Sequence, residues 1–182
     1  YPYSEPYSKE TDVDYVRNSI KVVIDSYTGE TNYYIVDSTD PIAQTFQKIY
    51  PKLFKDFDQM PDGIKAHMDK HAAIIAPKFN LVLQMLDKEI APLGIGEWVK
   101  AKGGYFISYN TIGCSAKRIG ELCKDAGLTL TTVGATYPYG IDPYDSNIRI
   151  APSFPDVDEL NQAVELLCIC VKLAVVEKLL ND

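Results

Sequence analysis

Cysteine, histidine and tryptophan are scarce in this chain of 182 residues: four, two and one. The four cysteines (Cys114, Cys123, Cys168 and Cys170) form no CxxC pair and are too sparse for a secreted disulfide scaffold. They read as reduced, mostly buried thiols of a cytoplasmic protein. No run of about 20 apolar residues is present, which a membrane-spanning helix needs. The most apolar stretch, AVELLCICVKLAVV (163–176), is broken by Glu165 and Lys172. A secretory leader is not expected either, because YPYSEPYSKETDVDY is polar, acidic and proline-bearing. Basic excess is missing too: 18 Lys and Arg stand against 25 Asp and Glu, for a net charge of −7. An acidic surface attracts neither nucleic acid nor an anionic membrane. Phosphate-binding GxGxxG and GxxxxGK[ST] loops are absent.

What is present suffices for a core: 46% of residues are hydrophobic and 24% charged. The chain divides in composition. Eight of its 13 tyrosines fall in residues 1–62, while every cysteine and histidine lies beyond them. We read residues 1–62 as one module and 63–182 as another.

The first module reads as a β-hairpin and a helix. SIKVVIDSY (19–27) and TNYYIVDS (31–38) are β-branched and aromatic, and Gly29 lies in the loop between them. Ser38 or Asp40 caps the helix that follows, with Pro41 at its first position. Ile42, Phe46 and Ile49 form its apolar stripe, and Pro51 ends it. The next stretch, KDFDQMPDG, reads as a connector.

The second module alternates helix and strand. Apolar residues at helical spacing predict a helix over 69–93, kinked or restarted at Pro77. EWVKAKGGYFISYN gives two strands around Lys102–Gly103. Ser115 caps a helix that stops at Gly127. LTLTTV (128–133) reads as a strand, GATYPYGIDPYD as a loop and NIRIA (147–151) as a strand. Asp156, with Glu159 three residues on, opens a long closing helix. The expected fold is α+β: a small antiparallel or mixed sheet covered by helices, preceded by the hairpin and helix. A hairpin and one helix are marginal alone, so docking on the second module or homodimerisation is expected.

The residue that raises a question is Arg149, an always-charged guanidinium within SNIRIAPSFP, a run that otherwise reads as a buried strand. Its planar fork matches a carboxylate with two parallel hydrogen bonds. The alternative is a structural arginine at a sheet edge, or one paired with Asp142 or Asp145. Those two acids read as turn formers. His67 and His71 are four apart on one helix face, but no third ligand is spaced to complete a metal site and no glutamate follows His67.

Residues 67 to 181 resemble the C-terminal small domain of a fold-type I pyridoxal-phosphate (PLP) aminotransferase, in its bacterial aspartate/alanine aminotransferase-like branch. HMDKHAAIIAPKF, KGGYFISYNT, AKRIGELCKDAGLTLTTVGATYPYG, NIRIAPSFP and ELLCICVKLAVVEKLL carry that resemblance. It implies that Arg149 binds the carboxylate of an amino-acid or 2-oxo-acid substrate, with Tyr137 and Gly104 lining the site. The parent family uses PLP. Its Schiff-base lysine, pyridine-nitrogen acid and phosphate cradle belong to a large domain that residues 1–66 do not resemble. No cofactor, catalytic residue or metal ligand is therefore assigned here, and catalysis by these residues alone is not expected. CSAKRIG (114–120) only superficially matches a Ser-x-x-Lys neighbourhood, because a single residue separates Ser115 from Lys117. Residues 1–62 resemble a soluble segment of a large bacterial integral-membrane protein family of uncharacterised function. The whole reads as a chimera.

Overall fold

In the computed structural model, residues 18–100 and 104–181 are described. The N-terminal tyrosines up to Tyr15, and the Lys102–Gly103 turn, lie outside them. The chain divides into two compact units, with the boundary between Asp69 and Lys70.

The first unit holds strands β1 (Ile20–Ile24), β2 (Thr31–Ile35) and β3 (Phe54–Asp56), and helix α1 (Pro41–Ile49). β1 and β2 form the expected antiparallel hairpin, pairing Ile20 with Ile35 through Ile24 with Thr31. β1 stops short of Tyr27 because the Asp25 carboxylate accepts the Tyr27 and Thr28 N–H groups at 2.9 and 2.7 Å. That Asx turn, with Gly29 at φ 75°, spends the backbone donors that a longer strand would need. Asp40 caps α1 by accepting the Ile42 and Ala43 N–H groups at 2.8 and 3.3 Å. Two features depart from expectation. The connector contains β3, which pairs in parallel with β2. The α1 stripe is not covered: Ile42, Phe46 and Ile49 are 43–57% exposed, and Ala43 is the buried residue of the helix.

Helix α2 runs unbroken from Asp62 to Glu89. It starts earlier than predicted because Pro61 sits just outside it, and the Pro61 carbonyl accepts the Ile64 and Lys65 N–H groups at 2.9 and 3.2 Å. The restart expected at Pro77 does not occur. Pro77 and Ala73, whose carbonyl loses its N–H partner, are both exposed, so water can satisfy the freed acceptor.

The second unit adds a three-stranded antiparallel sheet in the order β4 (Gly96–Trp98), β5 (Ile107–Thr111), β6 (Asn147–Ile150), with helices α3 (Ala116–Asp125) and α4 (Val157–Asn181). One face of the sheet enters the core. Ile107, Tyr109, Ile148 and Ile150 pack there with Phe79, Val82 and Leu86 of α2, Ile119 of α3, and Leu160, Val164, Leu167 and Val171 of α4. Ser115 and Asp156 cap α3 and α4 as predicted, accepting the Arg118 and Glu159 N–H groups at 3.2 and 2.8 Å. Residues 128–133 do not form a strand. Leu128, Leu130 and Val133 pack on the core, so the alternation reports burial without a ladder partner.

Tyr109 is fully buried, stacks on Trp98 at a centroid distance of 6.3 Å, and donates its hydroxyl to the Ile95 carbonyl at 3.3 Å. A Cβ at Gly96 would stand 2.3 Å from that hydroxyl oxygen and 2.5 Å from the ring. A buried ring cannot yield cheaply, so Gly96→Ala should cost about 2 kcal/mol. Urea unfolding of the variant measures this, and an unchanged midpoint would contradict the packing.

Candidate functional site

Side chains alternate across a strand. Because Ile148 and Ile150 face the core, Asn147 and Arg149 share the opposite face. β5 presents Ser108 and Asn110 there, with Ser108 opposite Arg149 and Asn110 opposite Asn147. Asn147 is 5% exposed and ties this face together. Its amide nitrogen donates to Ser108 Oγ at 2.9 Å and to Asn110 Oδ1 at 2.6 Å. Its amide oxygen accepts the Thr136 hydroxyl at 2.6 Å. The result is a neutral polar rung two residues from the guanidinium.

Arg149 is half-buried. Its Cζ lies 4.4 Å from the centroid of the Phe106 ring, and its Nε is buried without a hydrogen-bond partner. Among the described residues no carboxylate pairs with it. Asp142 and Asp145, the sequence-based alternatives, are engaged elsewhere. Asp142 accepts the Tyr144, Ser146 and Asn147 N–H groups at 2.9, 2.8 and 2.7 Å. Asp145, at φ 47°, accepts the Ser115 hydroxyl and the Lys117 N–H, closing the start of α3. Both acids are turn formers.

Tyr137 is half-buried in the loop before β6, beside Thr136 of the Asn147 network. Gly104 is exposed at φ 101°, two residues before Phe106. His71 packs its ring on Tyr105 at 5.5 Å, and His67 is exposed. Among the described residues no group of three or more His, Cys, Asp or Glu side chains could hold a metal. Sequence reasoning missed Phe106 and Asn147. The only available signal was that both stand at alternate positions on the face Arg149 occupies.

Burial raises the Asp142 pKa, but the N–H groups of Asn147, Tyr144, Ser146 and Asp145 outweigh it, and the carboxyl ends below its ordinary value. A depressed folded-state pKa gives stability that is present above the unfolded value, about 3.9, and is lost as pH falls through the folded value. Between pH 5 and pH 3 the urea midpoint of the native chain should therefore fall further than that of Asp142→Asn. Parallel curves would contradict this role.

The aspartate amino-transferase family profile matches residues 30–182, so it takes in part of the first unit as well. An aspartate aminotransferase of Corynebacterium glutamicum is 46% identical over 120 residues, covering 66% of this chain and 28% of that protein. The solved structure of an aspartate transaminase from the same species is 46% identical with a TM-score of 0.62, covering 64% of this chain and 27% of that one. A UPF0182 protein of Alkaliphilus metalliredigens is 54% identical over 68 residues, 37% of this chain and 7% of that protein. The chain thus spans under a third of the length of both Corynebacterium glutamicum proteins. Their family implies PLP, but the described residues do not fit that group. Lys78, Lys100 and Lys172 are bonded to the Ser153 carbonyl, Asp87 and Glu89, and Lys117 is exposed on the first turn of α3. Among the described residues, no lysine, acid and phosphate cradle converge on the Arg149 face. The small antiparallel sheet, the helices on its core face and the family match together make this chain a member of the aspartate amino-transferase family.

Proposed function

We propose that the second module, residues 63–182, is the substrate-recognition part of a PLP-dependent aminotransferase, and that Arg149 grips the carboxylate of an amino-acid or 2-oxo-acid substrate. The observation that carries this reading is the unpaired guanidinium. A buried Nε with no acceptor is costly to maintain, and Asp142 and Asp145 are committed to backbone N–H groups and the Ser115 hydroxyl. The side chains that share this face on β5 and β6, Ser108, Asn110 and Asn147, are neutral, and the acid of the face, Glu97, stands on β4 opposite Asn110 and two residues out of line with Arg149. Tyr137 and Gly104 would border the same site.

Catalysis would rest on a Schiff-base lysine, a pyridine acid and a phosphate cradle supplied from outside these residues. A separate chain is one such source, and the unpaired Arg149 favours that reading over a purely structural one. Residues 1–62 are then a fused module of different origin, related to the UPF0182 proteins, and the chain is a chimera. The exposed α1 stripe supports a protein-interaction role for that module. Among the described residues no helix is long and apolar enough to cross a membrane. The free cysteines are compatible with a reducing cytoplasm.

Calorimetric titration with pyruvate and with L-alanine tests the carboxylate role. Weak saturable binding, in about the millimolar range, is expected for the native chain. Arg149→Ala should abolish it. Arg149→Lys should weaken it about tenfold, because lysine lacks the bidentate fork. Equal binding by Arg149→Ala would overturn the assignment. Mass spectrometry after PLP and borohydride treatment should show scattered, substoichiometric labelling of lysines. Stoichiometric labelling of a single lysine, Lys117 above all, would mean that these residues do build a cofactor site.

A further inference from the structure

We propose that Phe106 is a positioning residue for carboxylate recognition, holding the Arg149 guanidinium in a fixed plane before any ligand arrives. This rests on the reading of Arg149 given above.

Three observations point the same way. Phe106 precedes β5 and has the same parity as Ser108 and Asn110, so its ring belongs to the face that carries Arg149. In the observed register Arg149 stands opposite Ser108, which makes Phe106 its diagonal neighbour. Aromatic and long side chains reach each other across that diagonal. Second, the ring centroid lies 4.4 Å from Arg149 Cζ, within cation–π range. Third, among the described residues the guanidinium has no polar anchor. Its Nε finds no acceptor, and among the described residues no ion pair or hydrogen bond fixes its orientation. An arginine side chain has several rotatable bonds and considerable rotamer freedom. What restrains this one is the face of an aromatic ring.

The ring is not spent on the core, since Phe106 is 45% exposed. A large apolar side chain kept partly in water, in contact with a cation of its own face, suits a positioning role. The guanidinium carbon lies over the Phe106 ring and Nε is buried. The two terminal nitrogens are then the edge offered to a carboxylate. Restraining that edge in advance removes ordering that binding would otherwise require.

The test compares Phe106→Leu with Phe106→Trp in the full chain. The position is half-exposed, so both variants should fold, and circular dichroism checks this. Titration with acetate and pyruvate should show Phe106→Leu binding about 5-fold more weakly, the scale expected for loss of a partly exposed cation–π contact. Phe106→Trp should bind within about twofold of the native chain, because tryptophan offers the better face. Side-chain NMR of the arginine Nε–H groups supplies the second readout. The Arg149 resonance should be sharp and well dispersed in the native and Phe106→Trp chains, and averaged towards free arginine in Phe106→Leu. A Phe106→Leu chain with native affinity and a native Arg149 resonance would overturn the proposal. So would equal weakening by leucine and tryptophan, which would make shape rather than the aromatic face responsible. If no carboxylate binds the native chain, the reading of Arg149 fails. The NMR comparison still decides whether Phe106 orders it.

Discussion

Strand β6 pairs with β5 in a register that sets Ile148 opposite Tyr109 and Arg149 opposite Ser108. A slip of one residue would exchange the faces, driving a guanidinium and an asparagine into the core and two isoleucines out of it. Burying an uncompensated charge costs several kcal/mol, so the hydrophobic core of the unit also acts as the aiming device for its polar face. The Asn147 rung reinforces this from the other side. Its amide is satisfied only when Ser108, Asn110 and Thr136 all stand where this register puts them. Packing and hydrogen bonding therefore demand the same alignment, which is how a short edge strand of four residues can hold a direction firmly.

The loop before β6 extends that logic. Asp142 gathers successive N–H groups at the strand's entry, and Asp145 accepts a residue conformation that non-glycine side chains rarely adopt in order to meet Ser115. The start of α3 and the start of β6 are thereby pinned to one turn. Acids that looked available to neutralise Arg149 are consumed in building the frame that leaves it open.

Much of this was legible in the sequence because it depended on local chemistry. Asp40–Pro41, Ser115 and Asp156 announce helix starts whatever surrounds them, and Gly127 a stop. Arg149 stood out because a charged residue between two isoleucines violates the pattern of a buried strand. The features that sequence hid are decided by neighbours distant along the chain. Three residues at Phe54–Asp56 become a strand only because β2 has a free edge. Leu128 and Leu130 alternate like a strand, yet find no edge to join. Pro77 is tolerated because the carbonyl it orphans faces water. The stripe on α1 is amphipathic by spacing, yet spacing does not say whether anything lies against it. The contact between Phe106 and Arg149 is likewise a consequence of register, which no single segment encodes.

The four thiols differ in a way that turns them into a native-state clock. Cys123, Cys168 and Cys170 are buried, while Cys114 is half-buried beside the Thr111 hydroxyl. Burial pushes the Cys123 thiol up to about 12 and the Cys168 thiol up to about 11, so both stay protonated and unreactive at neutral pH while the unit is closed. Alkylation of Cys123 and Cys168 therefore waits on opening of the hydrophobic core that buries both, and the rate at which they are labelled counts those openings. Cys114 serves as the internal reference for access without unfolding.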